Sequence, residues 1–170
     1  MKILDVGCGS AKLEGSIGID IRLWPGIDAI CDLNKYAWPF KEEIFDKIYC
    51  RDIIEHLDDV VKTMQEIHRI SKKGSKVVIF TPHFAHPNSF RDPTHKWHFT
   101  IDSFDYFTRE LKYPVYTKEK FKIIKKDFIF RRKFGISAIL AKISPRRYEK
   151  YYSHRFPPYG LYFELEVLKT

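Results

Sequence analysis

The stretch Lys2-Ile3-Leu4-Asp5-Val6-Gly7-Cys8-Gly9-Ser10 constrains this chain more than any other. Its apolar run stops abruptly at Gly-x-Gly, the pattern of a buried parallel strand delivering its carboxyl end to a ligand. Glycine at 7 and 9 removes two Cβ atoms, so backbone N–H groups can approach a ligand closely and φ can turn positive. In open α/β sheets the crevice beyond the strand ends receives nucleotide-like ligands. A second apolar run, Ile17-Gly18-Ile19-Asp20-Ile21, follows at once. Asp20, near its end, is suited to accepting hydrogen bonds from ribose hydroxyls.

Further strands are expected near 28–33, from Phe45 to Cys50 and from Ser75 to Thr81. The last is an apolar run suited to a sheet centre. Ile53 to Leu57 reads as a helical turn. Asp58 is expected to N-cap a helix through about Ser71, with Val60, Val61, Met64, Ile67 and Ile70 on its buried face. Lys72-Lys73-Gly74 then reads as that helix's cationic, glycine-capped end. No period holds from Pro82 to Thr100, and a loop of that length tends to be functional. Thr100 or Asp102 is expected to cap a helix through about Glu110, with Phe104, Phe107 and Leu111 inward. Phe121–Phe130 and Leu161–Leu168 alternate as a sixth and a seventh strand, paired antiparallel. Residues 131–158 between them form a basic, aromatic insertion with short helices around Ile136–Ile143 and Arg146–Tyr152.

These residues resemble the class I S-adenosylmethionine-dependent methyltransferases. Leu4-Asp5-Val6-Gly7-Cys8-Gly9 looks like that family's first motif, and the likeness continues through Cys31-Asp32-Leu33, Phe45-Asp46-Lys47-Ile48-Tyr49, Glu55-His56-Leu57 and Glu66-Ile67-His68-Arg69-Ile70. The resemblance implies an α/β, Rossmann-like seven-stranded methyltransferase sheet in the order 3-2-1-4-5-7-6, with the seventh strand antiparallel, in one domain spanning 1–170. It also implies S-adenosyl-L-methionine as cofactor, bound through Asp5, Gly7, Gly9, Asp20, Asp32 and Leu33, with Asp20 at the ribose and Asp32 at the adenine. One departure is large. Only Ser10 to Ser16 separates the first two strands, so the family's first crossover helix is missing, as in a subgroup with a compressed first crossover. A direct connection between parallel strands needs about a dozen residues, so this one must be an irregular loop.

Methyl transfer from a sulfonium needs an acceptor held in line and water excluded. A hydroxyl acceptor also needs its proton removed, worth ~10²–10⁴-fold when a side chain is positioned for it. Asp92-Pro93-Thr94-His95 offers His95 as base with Asp92 to orient it, and Arg91 for an anionic group. His56 is a second base, and His68 reads as structural. His83, His86, His95 and His98 form two H-x-x-H pairs. That loop pattern is weakly specific and lacks cysteine, so no metal is assigned.

The charge distribution fits an anionic acceptor, and equally a lysine-rich surface that serves solubility or heat tolerance. Residues 1–85 carry 12 Lys+Arg against 13 Asp+Glu, a net of −1. Residues 86–170 carry 18 against 9, a net of +9, which together give +8. The half expected to hold the acceptor is the basic one. Fourteen Phe and ten Tyr suit an aromatic core that extends into a cleft. Cys8, Cys31 and Cys50 have no C-x-x-C spacing and read as small buried residues of a reducing, cytoplasmic protein. No apolar run approaches the ~18 residues of a membrane span, and strand-forming sequence begins at Lys2 with no signal peptide.

The resulting expectation is methylation of a hydroxyl on a small or sugar-like anionic acceptor. The alternatives are a non-catalytic S-adenosylmethionine-binding or regulatory protein, an RNA methyltransferase, and a nicotinamide-dependent oxidoreductase. The last is disfavoured by Lys12 where the dinucleotide fingerprint wants glycine. The interleaved cations and aromatics (Arg131, Arg132, Arg146 and Arg147 with Tyr148, Tyr151 and Tyr152) leave RNA or a membrane surface as contacts, with a solvated surface preferred.

Overall fold

Short apolar runs separated by turn residues pair into one seven-stranded sheet in the computed structural model, which describes residues 1–108, 117–131 and 135–169. Its strands are β1 (Ile3–Val6), β2 (Ile17–Asp20), β3 (Ala29–Ile30), β4 (Phe45–Arg51), β5 (Ser71–Pro82), β6 (Lys120–Ile129) and β7 (Gly160–Leu168). The spatial order is β3-β2-β1-β4-β5-β7-β6. The pairs β1–β2, β1–β4, β2–β3 and β4–β5 are parallel, whereas β7 runs antiparallel to both β5 and β6. Order, direction of β7 and the absence of a helix between β1 and β2 all agree with the expectation from sequence.

Helix α1 (Val60–Ile70) connects β4 to β5 and lays Met64, Ile67 and Ile70, all fully buried, against the sheet. Leu4, Val6, Ile48, Cys50, Val77 and Ile79 meet it from the central strands, and Leu161, Phe163, Leu165 and Val167 extend that layer along β7. Residues between them on the strands, such as Lys47, Tyr49, Lys76, Tyr162, Glu164 and Glu166, are only half-buried and point the other way. All three cysteines are buried and free.

Several local expectations are corrected. The cap of α1 is Asp59, whose carboxylate accepts from the Lys62 N–H, and Asp58 instead pairs with Lys96. The helix stops at Ile70, and Ser71 is already extended and paired with Phe45. Gly74, at φ +76°, therefore sits in the bulge of β5 before Lys76 pairs with Lys47, and it does not cap the helix. The third strand is two residues long because the Asp28 carboxylate turns aside to bind the Gly18 N–H and Lys12. The long loop contains a single helical turn, α2 (Asn88–Arg91). After Thr100 the chain forms a 3₁₀ segment, Ser103–Phe107, with no side-chain cap, although Phe104 and Phe107 are buried as expected. Glu110, Leu111, Arg132 and Lys133 lie outside the described residues. The insertion carries α3 (Gly135–Ile143) and α4 (Pro145–Tyr151), with Pro145 opening the second helix.

Candidate active site

The first turn is shaped by its glycines. Gly7 has φ +62°, and a Cβ there would stand 2.3 Å from Ile53 Cγ1, so Ile53 occupies the room a side chain would need. Gly9 has φ +54° with nothing within 4 Å of a Cβ position, so this backbone faces open space. The Gly9 N–H donates to Asp20 Oδ2 at 2.9 Å and the Arg22 N–H donates to Asp20 Oδ1 at 2.9 Å. Each carboxylate oxygen keeps a lone pair for a further donor. A crevice of about 130 Å³ opens here, lined by Gly7, Asp20, Ile21, Asp32, Leu33, Ile53 and His56 among others. Asp32 also builds a local turn by accepting the Asn34 N–H.

Asp5 departs from its expected place. It is fully buried beneath the compressed crossover, where Oδ2 accepts the Leu13 N–H at 2.9 Å and Arg51 Nη2 at 2.7 Å. Arg51 Nη2 also donates to the Ala11 carbonyl at 2.7 Å. Asp5 thus holds the crossover loop and does not line the crevice. None of residues 10–16 lines it either, so the short link leaves the crevice open.

A larger cleft of about 480 Å³ lies beyond the ends of β4 and β5, lined by Asp52, Glu55, His56, Arg91, Asp92, His95 and Tyr159 with several apolar neighbours. His56 borders both spaces. At the end of β4, Asp52 adopts φ +49°, an uncommon conformation for a non-glycine residue. The 3₁₀ turn Ile54–His56 follows. The loop is fastened over this turn: the Lys96 and Trp97 N–H groups donate to the Glu55 carbonyl, and Trp97 Nε1 donates to the Leu57 carbonyl at 2.7 Å.

The two base candidates are brought together, with ring centroids 4.5 Å apart in an edge-to-face arrangement. His95 Nδ1 lies 3.1 Å from the Ser89 carbonyl, which can only accept, so Nδ1 carries the proton and Nε2 is free. The Asp92 carboxylate is engaged by Thr94, whose N–H and hydroxyl both donate to Oδ1. The Thr94 hydroxyl in turn lies 2.8 Å from His56 Nδ1. With its proton committed to Asp92, that hydroxyl accepts from His56. Asp92 therefore orients His56 through Thr94, whereas the expectation paired it with His95.

Electrostatics single out groups that sequence reading passed over. Glu55 is 1 % exposed. Burial, with a lesser push from Asp52, raises its carboxyl to about 8 despite a hydrogen bond from Thr81. Burial also pushes the Asp52 carboxyl up from its ordinary value, opposed by His95 and the Arg51 guanidinium beside it. His56 is held below the usual histidine value by burial and by His95, and Asp92 is lowered by the two Thr94 donors. Thr94, Asp52 and Tyr159 were missed, and Glu55 was seen only as the neighbour of His56 in the Glu55-His56-Leu57 motif, with no role of its own. The only signal for Thr94 was its place inside Asp-Pro-Thr-His. The four loop histidines do not converge: His83 binds Glu149, His86 Nδ1 accepts the Asn88 N–H, and His98 binds Ser89.

Comparison with known proteins places this architecture. A profile described as a methyltransferase domain matches residues 1–122. An uncharacterized methyltransferase of Bacillus subtilis, YcgJ, is 24% identical, the match covering 55% of this chain and 49% of that protein. Cycloartenol-C-24-methyltransferase 1 of Oryza sativa subsp. japonica is 28% identical over 56% of this chain and 35% of its own length. The chain thus spans half or less of the curated relatives it matches. A crystal structure of an S-adenosylmethionine-dependent methyltransferase from Archaeoglobus fulgidus shares the fold, with a TM-score of 0.63 at 20% identity over 97% of this chain and 85% of that one.

Proposed function

The chain belongs to the methyltransferase-domain family, and from that premise we propose that it binds S-adenosylmethionine in the crevice at Gly7, Asp20, Asp32 and Leu33 and methylates a hydroxyl of a small anionic acceptor held in the larger cleft. The observation that carries this reading is the junction at His56, where the crevice at the ends of β1 and β2 meets the cleft beyond β4 and β5. A nucleoside fits the first by its chemistry: a carboxylate with free lone pairs, a side-chain-free backbone at Gly7, and apolar walls from Leu33 and Ile53, with Gly9 bonded to Asp20 beside the crevice and outside its lining. S-adenosylmethionine, when bound, supplies an electrophilic methyl group on a sulfur that leaves as a neutral thioether.

The protein's own part is positioning and proton removal. Nε2 of His95 is the unprotonated nitrogen, and so is Nε2 of His56 once Nδ1 donates to Thr94. Either can accept the acceptor's proton, and the Asp92–Thr94 chain keeps His56 in that tautomer. Arg91, exposed in the cleft lining, supplies a cation for an anionic substituent.

Calorimetry with S-adenosylhomocysteine tests the cofactor half. Saturable binding that Asp20→Ala weakens by on the order of 10–100-fold, the loss expected for hydrogen bonds to a charged group, supports it. No binding at millimolar ligand overturns it. Labelled methyl transfer to polar metabolite fractions tests the other half. There His95→Ala should lower turnover by ~10²–10⁴-fold while leaving S-adenosylhomocysteine affinity nearly intact.

A further inference from the structure

We propose that Glu55, His56 and His95 form a binding site for one divalent transition-metal ion on the wall of the acceptor cleft. Among the described residues these are the one group of three side chains whose ligand atoms converge, all within 4.8 Å of one another. Two imidazoles and a carboxylate make a donor set that suits Zn(II), Fe(II), Co(II) or Mn(II) and leaves coordination positions for a substrate.

Three further features fit this assignment. Both Nδ1 atoms are tied back, to the Ser89 carbonyl in His95 and to Thr94 in His56, so both Nε2 atoms remain for a metal. Metal-ligating histidines are held in this way by an outer carbonyl or carboxylate, and the Thr94 hydroxyl passes the second hold on to Asp92. Glu55 is anchored through Oε2 by Thr81, while Oε1 is buried with no hydrogen-bond partner, an atom a cation would satisfy. The cleft then gives the remaining positions access to an acceptor.

The metal's role, though not its binding, rests on the proposed hydroxyl methylation. A hydroxyl coordinated beside the transferring methyl is acidified by the cation and releases its proton to water in the cleft. With the ion bound, His56 and His95 serve as its ligands, and the proton-acceptor role given them above belongs to the metal-free chain. Arg91 and Asp52 are left to position the acceptor.

The experiment titrates the full-length, metal-stripped chain with Zn(II) by calorimetry and with Co(II) by visible absorption. The expected result is one ion per chain with a Co(II) spectrum of nitrogen and oxygen ligation. Glu55→Gln and His95→Ala should each weaken binding by more than ~100-fold, and Thr94→Val by ~10–100-fold, the range for outer-sphere partners. His154→Ala, which does not line the cleft, should bind as wild type. S-adenosylhomocysteine titrations of the same variants report whether each still folds. Absence of saturable binding at micromolar metal, or binding unchanged in both Glu55→Gln and His95→Ala, overturns the site. Metal binding without methyl transfer keeps the site and removes the hydroxyl-methylation reading, and transfer that survives metal removal unchanged overturns the metal's role.

Discussion

At the scale of single residues, the two glycines of the first turn do different work. At Gly7 an alanine meets both a left-handed backbone and Ile53 at 2.3 Å, whereas at Gly9 it meets only the backbone cost. Left-handed backbone costs an L-residue about 1–2 kcal/mol, and the Ile53 clash adds to it. Gly7→Ala should therefore lower the urea midpoint clearly more than Gly9→Ala. The order reverses for the proposed ligand: Gly9→Ala keeps the fold but projects a methyl into the open space beside Asp20, so S-adenosylhomocysteine affinity should fall if Gly9 belongs to the cradle. Unchanged affinity in Gly9→Ala would remove Gly9 from the cradle. Both glycines were legible from the Gly-x-Gly pattern at the end of an apolar run. Glu55 was not, because its burial comes from Thr81 on another strand and from a loop folded over its carbonyl, neither of which leaves a mark beside it in the chain.

At the scale of elements, the compressed crossover is the unusual part. Parallel strands joined by residues 7–16 lack a helix to carry the chain back, and the link is instead tied down by polar contacts. Asp5 holds the Leu13 N–H from below while Arg51, on the neighbouring strand β4, grips both Asp5 and the Ala11 carbonyl. Arg51→Met should leave the Asp5 carboxylate buried without a counter-charge, at a cost of about 3 kcal/mol, the low end for breaking one side of a buried pair. Hydrogen exchange should show the Leu13 amide losing protection before the strands do. Full protection in the variant would mean the loop does not depend on Arg51. From sequence the missing helix could be counted, but its replacement could not be seen, since Asp5 and Arg51 are 46 positions apart. The cap of α1 failed for a smaller reason. Asp58 and Asp59 are both competent caps, and distant contacts hold the first away, with Lys96 on its carboxylate and Asn34 accepting its N–H.

At the scale of the whole molecule, the same missing helix explains why the sheet alternates. Right-handed crossovers that leave β1 in one direction and β4 in the other deposit their helices on opposite faces. Helix α1 covers the face that carries Leu4, Ile48, Val77 and Phe163, so the face of Asp5, Tyr49 and Arg51 belongs to the crossover reduced to a loop. Parallel strands covered on both sides read as continuous apolar runs. Here β4 reads Phe-Asp-Lys-Ile-Tyr-Cys-Arg, with half-buried polar residues between buried ones. The open face is stocked accordingly: Lys76 pairs with Glu166, and the Lys47 ammonium lies over Tyr49. Alternation visible in the sequence therefore already recorded which crossover was lost, although on its own it reads equally as an edge strand. The energetic consequence is a one-sided core. Leu165→Ala, in the covered layer, should cost about 2–5 kcal/mol as a buried large-to-small change. Tyr162→Ala, three positions earlier on the same strand but on the open face, should cost less than half as much. Equilibrium urea unfolding of the two variants measures this directly. Equal losses would mean that the open face is covered in solution, and that the loop between β1 and β2 is compensated by contacts from outside the chain.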